Sequence, residues 1–217
     1  MDELMRNMKK MFHNRTLDQM PAPDRVELPE GYDRFEVLIR RERINATREV
    51  WNCSDLFING ERFVDIMNRN MLENGHSRRS GGRYIGLQPR HVLSPCIDFI
   101  DMEHGFKHHD ERRVQTLACK DCGIAECSTV PVLITVNDKK VTWSEIGRYP
   151  DTMGSFTFLR TQYEHALDHG NAAYFSAYHH ANGIHVKRNR TMMLEMFAEA
   201  IQQGNQQAIN WCNQCRA

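Results

Sequence analysis

A chain of 217 residues with 28 basic and 28 acidic side chains, 41% hydrophobic and 26% charged, is long enough to bury a core without disulfide staples. A formal net charge of zero excludes a surface that is one continuous polyanion-binding field, while leaving room for a local basic patch. The sequence contains no apolar run of about 18 residues. Its opening, Met1-Asp2-Glu3-Leu4-Met5-Arg6, is charged where a signal peptide would be apolar, so a soluble cytoplasmic protein without a membrane partner is expected.

Met1, Leu4, Met5, Met8, Met11 and Phe12 recur at helical spacing, with Asp2, Glu3, Arg6, Lys9 and Lys10 on the other side, which predicts an amphipathic helix. Residues 13–33 carry Pro21, Pro23, Pro29 and Gly31 among polar residues, so residues 1–33 read as a helical arm followed by a Pro-containing linker. The stripe of the arm either packs on its own domain or docks on a partner protein or second copy. Unbranched thioethers suit the latter because they adapt to irregular surfaces.

The body begins near Arg34, where residues 35–40 have the β-branched and aromatic content of a strand. Residues 56–58 read as a second short strand, closed by Asn59-Gly60, which supplies the positive φ of a tight turn. Phe63, Ile66, Met67 and Met71 then predict a helix over 62–74, stopped by Gly75. Residues 75–90 read as a glycine-containing basic loop with Arg78, Arg79 and Arg83; lacking a strand-to-helix frame, its glycines make no phosphate cradle.

Residues 114–118 form a short strand leading into a cysteine cluster. Val130, Val132, Ile134 and Val136, followed after Asn137-Asp138-Lys139-Lys140 by Val141-Thr142-Trp143-Ser144, predict a β-hairpin with one buried face. Pro131 cannot donate to a ladder and belongs at the strand start or on an edge. Leu159, Tyr163, Ala166 and Leu167 form a helical stripe ending at Gly170, and Met193, Met196, Phe197, Ala200 and Ile201 another ending at Gly204, with a third helix over 172–181. Strands first and helices last favour an α+β fold. The expected architecture is a small, mostly antiparallel sheet with a cysteine knuckle over residues 34–169, the arm over 1–33 and a C-terminal helical extension over 170–217.

The seven cysteines are the sharpest chemical signal, an odd number with two Cys-x2-Cys pairs, which points to metal chemistry before disulfides. Cys119, Cys122, Gly123 and Cys127 give C-x2-C-G-x3-C, a knuckle whose turn aims both sulfurs at one ion while the glycine lets the backbone bend beneath it. Structural zinc takes four ligands, so one is missing locally. Zinc held by Cys119, Cys122, Cys212 and Cys215 would tie the tail to the sheet. In the alternative Cys127 is the third ligand, and the fourth is His104, His108, His109, Cys53 or Cys96. Reduced structural thiols and a redox pair are the remaining readings. A thioredoxin-like pair would open a helix after a strand, and here a hairpin follows.

His104, His108 and His109 with Asp110 and Glu111 form a second constellation, suited to metal-assisted hydrolysis, including nucleic-acid cleavage. The His-Glu-x-x-His order is absent and Gly105 disfavours a helix there, so a solvated loop is the simpler reading. His179, His180 and His185 sit in or after an aromatic helical stretch, where a satisfied histidine is the default. Lys187, Arg188 and Arg190 read as a charged helix entry, and together with Arg78, Arg79 and Arg83 as the basic residues of a nucleic-acid alternative. No nucleophile elbow, Walker loop or dinucleotide fingerprint occurs.

From the knuckle onward the chain resembles a widespread family of uncharacterised bacterial proteins. The resemblance rests on Cys119-x2-Cys122-Gly123-x3-Cys127, on 132–136 and Val141-Thr142-Trp143-Ser144, and on Gly154-Ser155-Phe156-Thr157-Phe158 with Gln162-Tyr163-Glu164 and Ala166-Leu167. It implies a leading strand, a helix, a cysteine knuckle, a Trp-bearing hairpin and a final helix across roughly residues 34–169. No activity is assigned to the family, so it implies a fold and no reaction. The arm and the tail beyond residue 170, with its own Cys-x2-Cys, depart from it. The expectation is a non-enzymatic, zinc-stabilised interaction or regulatory protein with no catalytic residue. A metal-dependent hydrolase built on His104, His108 and His109 is the alternative.

Overall fold

The structure, a computed structural model, describes residues 6, 8–10, 12, 19–74, 84–96, 99–100, 113–125, 127, 130–147 and 150–216. They divide into two compact units, one of residues 26–167 and one of residues 1–25 with 168–217. Helices and antiparallel sheets coexist, and the α+β expectation holds.

In the unit of residues 26–167, β1 (Phe35–Arg43) and β2 (Val50–Ile58) form a long antiparallel hairpin in register from Phe35 opposite Ile58 to Arg43 opposite Val50. Only the hydrophobic end of this hairpin is announced by the sequence. Residues 41–43, 50 and 52 escaped because they are largely charged or polar and exposed, whereas Asp55 and Ser54 are buried and no apolar pattern announces them. Asn59, at φ 52°, and Gly60, at φ 81°, turn the chain into β3 (Glu61–Arg62), as the Asn-Gly pair predicts. Helix α1 (Phe63–Glu73) follows within a residue of its expected bounds and buries Phe63, Val64, Ile66 and Met67.

Strand β4 (Tyr84–Gly86) pairs with β6 (Leu117–Cys119), and the Ser54–Leu87 bridge joins this ribbon to β2. Gly86 is required there: a Cβ would lie 2.1 Å from the Ser54 carbonyl oxygen. Strands β5 (Val114–Gln115), β7 (Pro131–Val136), β8 (Lys140–Ser144) and β9 (Phe156–Leu159) form an antiparallel sheet in that order, with Pro131 at a strand start. The predicted hairpin is present, with Val132, Ile134, Val141 and Trp143 on its buried face.

Trp143, fully buried, anchors the core of this unit among Phe35, Phe63, Phe99, Phe158 and Tyr163. Burying each such ring contributes roughly 2–3 kcal/mol. Its indole N–H donates to the Tyr163 hydroxyl at 3.1 Å, and that hydroxyl donates to the Phe99 carbonyl at 3.1 Å, so neither polar handle is stranded. Tyr163 belongs to α2 (Arg160–Leu167). The neighbouring Gln162 side chain accepts from the Phe35 N–H at 3.1 Å and donates to the Phe35 carbonyl at 2.5 Å, completing the start of β1 as a paired strand would.

The other unit is helical: α3 (His169–Asn182), α4 (Arg190–Gln202) and α5 (Gln206–Arg216). Asp168 caps α3 by accepting from the Asn171 N–H at 2.8 Å, and Asn189 caps α4 by accepting from the Met192 N–H at 3.0 Å. Of the arm, Arg6, Met8, Lys9 and Lys10 are helical, and a short turn follows at Gln19 and Met20. Met8 and Phe12 are buried, with Phe12 stacked on Trp211 at 4.9 Å and edge-on to Phe197 at 5.8 Å. Arg190 donates to the Phe12 carbonyl, Tyr174 to that of Pro21 and Gln207 to that of Ala22. The described residues of the apolar stripe thus pack on their own unit.

Candidate metal centre

Strand β6 delivers Cys119 into a turn that closes on itself. The Gly123 N–H donates to the Cys119 carbonyl at 2.7 Å, and the Cys119 N–H to the Ile124 carbonyl at 3.1 Å. Gly123 sits at φ 77°, the left-handed conformation a glycine takes without strain. The curled backbone points the N–H groups of Cys122 and Asp121 at the Cys119 sulfur. Cys127 returns to the same place, so that the sulfurs of Cys119, Cys122 and Cys127 all lie within 4.8 Å of one another. Zn–S bonds of about 2.3 Å in a tetrahedron put sulfurs about 3.8 Å apart, so only a small contraction would close them on an ion.

The electrostatics favour a cation. Burial acts to raise the Cys119 thiol, but hydrogen bonds from the Cys122 and Asp121 backbone and from the Cys122 and Cys127 thiols outweigh it and bring Cys119 below its ordinary value. Cys127 is pushed up to about 11, by its hydrogen bonds to Cys122 and Cys119 and then by their negative charge. Without a cation, neighbouring thiols resist simultaneous ionisation; a bound divalent ion removes that penalty and deprotonates its ligands. The Cys119–Cys122–Cys127 group can therefore hold a metal ion. Among the described residues it is the one group of three or more ligating side chains brought together.

The knuckle is braced by the distant β1–β2 connection. Asn45 and Ala46 donate their backbone N–H groups to the carbonyls of Lys120 and Asp121, at 3.2 and 2.9 Å, and the Asn45 amide donates to the Asp121 carboxylate at 2.8 Å. The Trp51 ring lies against Gly123 so closely that a Cβ there would stand 2.3 Å from Trp51 Cζ3. Sequence reasoning missed Asn45, Trp51 and Asp121, whose roles depend on a contact between segments some 70 residues apart.

The other expected ligands are placed differently. Cys212 and Cys215 lie on α5, both buried, and are not members of the three-thiol group. Cys53 is buried in β2, where burial, followed by the charge of Asp55, pushes its thiol up to about 12 and keeps it protonated. Cys96 is half-buried and outside the cluster. His104, His108, His109, Asp110 and Glu111 lie outside the described residues, as do Arg78, Arg79 and Arg83. His179 and His180 are buried on α3. Burial, then the charge of His185, pushes His179 down to about 4, and its Nδ1 meets the Ile184 carbonyl at 3.2 Å, as a neutral core histidine would. Lys187 and Arg188 precede α4 as its exposed entry.

One further polar group was not legible in the sequence. Asp55, 1% exposed, has its Oδ2 held between Arg40 and Arg62, and Arg40 also reaches Glu42. Burial raises the Asp55 carboxyl, opposed by the two guanidinium groups. This is a buried ion network within the β1–β2–β3 sheet.

Fold and site together define an α+β unit bearing a three-thiol centre, accompanied by a helical unit. Compared with protein-family models, with curated proteins and with solved structures, the chain matches none. Among the described residues no helix is long and apolar enough to cross a membrane.

Proposed function

We propose that the chain is a zinc-stabilised, non-enzymatic binding protein of the cytoplasm, and that it belongs to the knuckle-bearing bacterial family it resembles. The observation that carries the metal reading is the convergence of Cys119, Cys122 and Cys127. Cysteine-only donors favour zinc among abundant divalent ions, and the fourth ligand comes from outside these three thiols. A structural role is supported by what the knuckle holds: three hydrogen bonds to Asn45 and Ala46 and the Trp51 ring, which link residues 119–123 to the β1–β2 connection. A metal there fastens two segments far apart in sequence, and its binding energy adds to folding.

The binding role is supported by apolar side chains left in solvent, one of them next to this centre. Ile124, next to the knuckle glycine, is 52% exposed, and Val50, next to Trp51, is 57% exposed. The partner proposed is another protein or a second copy of the chain, engaged there or through the outer faces of the arm and C-terminal helices.

The test is metal content and association measured on the same full-length preparation. One zinc per chain is expected, and stripping it with a chelator should expose residues 44–49 to protease. Ile124→Asp should abolish association seen by sedimentation or by cross-linking to a partner, while leaving the zinc in place. A preparation that binds no zinc refutes the metal reading; association untouched by Ile124→Asp and by deletion of residues 1–20 refutes the binding one.

A further inference from the structure

The three thiols are graded in exposure: Cys119 is buried at the end of β6, Cys122 is half-buried and Cys127 is exposed. Such an arrangement presents one sulfur to reagents in solution with a second thiol within reach behind it. Disulfide formation needs that proximity, and oxidation selects thiolates that are accessible. Bound metal keeps all its thiolate ligands deprotonated, hence nucleophilic.

We propose that Cys127 is an oxidative modification site, at which a peroxide-class oxidant is received and resolved by Cys122 into a Cys122–Cys127 disulfide with release of the metal. The inference rests on the metal reading above. The Cys127 thiolate attacks one peroxide oxygen, the O–O bond breaks, and Cys127 becomes a sulfenic acid as hydroxide leaves. The Cys122 thiolate then attacks the Cys127 sulfur, the S–S bond forms, the S–O bond breaks and a second hydroxide leaves. Two thiolates are oxidised by two electrons and one peroxide is reduced; the disulfide so formed would take two ligands from any metal held by the three thiols.

Cys122 is the resolving thiol because Cys119 is fixed. It is buried, its backbone is paired with Tyr84 in the β4–β6 ribbon, and its sulfur accepts from the Asp121 and Cys122 N–H groups. The turn of residues 120–125 that follows β6 carries Cys122 and the exposed Ile124, and it can contract toward Cys127 without moving β6. Contraction of that turn carries Gly123 with it, and Trp51, packed on Gly123, reports the change.

The experiment titrates the zinc-loaded full chain with hydrogen peroxide. It reads zinc release by a colorimetric chelator, tryptophan emission, and cross-linked peptides mapped without reduction. The expected result is one zinc released as the protein loses two hydrogens, with a peptide joining Cys122 to Cys127, a red shift of emission, and full reversal by dithiothreitol and zinc. The Cys122→Ser variant should form no intramolecular bridge to Cys127. The Cys212→Ser/Cys215→Ser variant, which leaves the cluster intact, should oxidise as the parent does. The proposal is overturned by a Cys119–Cys122 bridge, by a bridge confined to Cys212 and Cys215, by over-oxidation of Cys127 without a bridge, or by thiols of the knuckle that survive excess peroxide. Failure of the metal reading is distinguishable, because it shows as zinc-free protein before any oxidant is added, and the peptide map still reads which thiols pair.

Discussion

Two Cys-x2-Cys segments of this chain end as different objects. At Cys119 and Cys122 the backbone curls through Gly123 at φ 77° and aims N–H groups at a sulfur that a third thiol, Cys127, also approaches. At Cys212 and Cys215 the same spacing lies within α5, where the two side chains are buried a turn apart and the N–H groups are committed to helix carbonyls. The spacing is common to both, and the backbone decides which pair can contribute to a ligand set. A glycine after the second cysteine permits the knuckle; Arg216 in the equivalent place of the tail does not.

The largest expected effect breaks this comparison directly. Cys119→Ser/Cys122→Ser should abolish zinc binding and cost the unit of residues 26–167 several kcal/mol, read as a lowered midpoint in denaturant. Next, Asp55→Ala removes the carboxylate between Arg40 and Arg62 in the sheet that braces the knuckle. It should destabilise that unit by about 1–3 kcal/mol, since Arg40 keeps Glu42 and Arg62 keeps Asp65 as partners, measured by urea unfolding.

A smaller loss, about 2–3 kcal/mol, is expected from Gly123→Ala, which combines left-handed strain with the 2.3 Å approach to Trp51. Trp51→Ala in the same chain should relieve the clash while the backbone strain stays, and a double-mutant cycle on thermal unfolding separates the two.

The smallest effect belongs to the helical unit and sharpens the contrast, since it involves no metal. His179 is held down at about 4 against an ordinary 6.5, by burial first and then by the charges of His185, Arg25 and His180. The unfolded chain therefore binds the proton more tightly than the folded one. The associated stability is fully present above pH 6.5 and is lost as pH falls through about 4. His179→Phe should flatten the dependence in thermal melts between pH 4 and 7 if burial is the cause, and NMR titration of the imidazole should give the low value directly.

How much of this was legible follows from the range of each interaction. The Trp143 hairpin, the Asn59-Gly60 turn, α1 and the C-terminal helices are announced by alternation, turn chemistry or 3.6-residue spacing, all local signals. The cysteine knuckle is equally local, and three of the five proposed sulfur ligands come together. What the sequence withheld is what meets across distance. The Asp55 network, the Trp51–Gly123 contact and Gln162 capping Phe35 pair residues whose neighbours in the chain give no hint of each other. The polar half of the β1–β2 hairpin was illegible for a related reason, since Arg41, Arg43 and Asn52 carry no apolar pattern and are held by the ladder.

The central proposal is that the knuckle binds the metal without needing the tail pair. It is tested most directly by zinc stoichiometry in the full chain, compared among the parent, Cys119→Ser/Cys122→Ser and Cys212→Ser/Cys215→Ser after purification under reducing conditions. One zinc in the parent, none in the knuckle variant and one in the tail variant is the predicted result. Zinc lost with the tail pair, or kept without the knuckle pair, would contradict it.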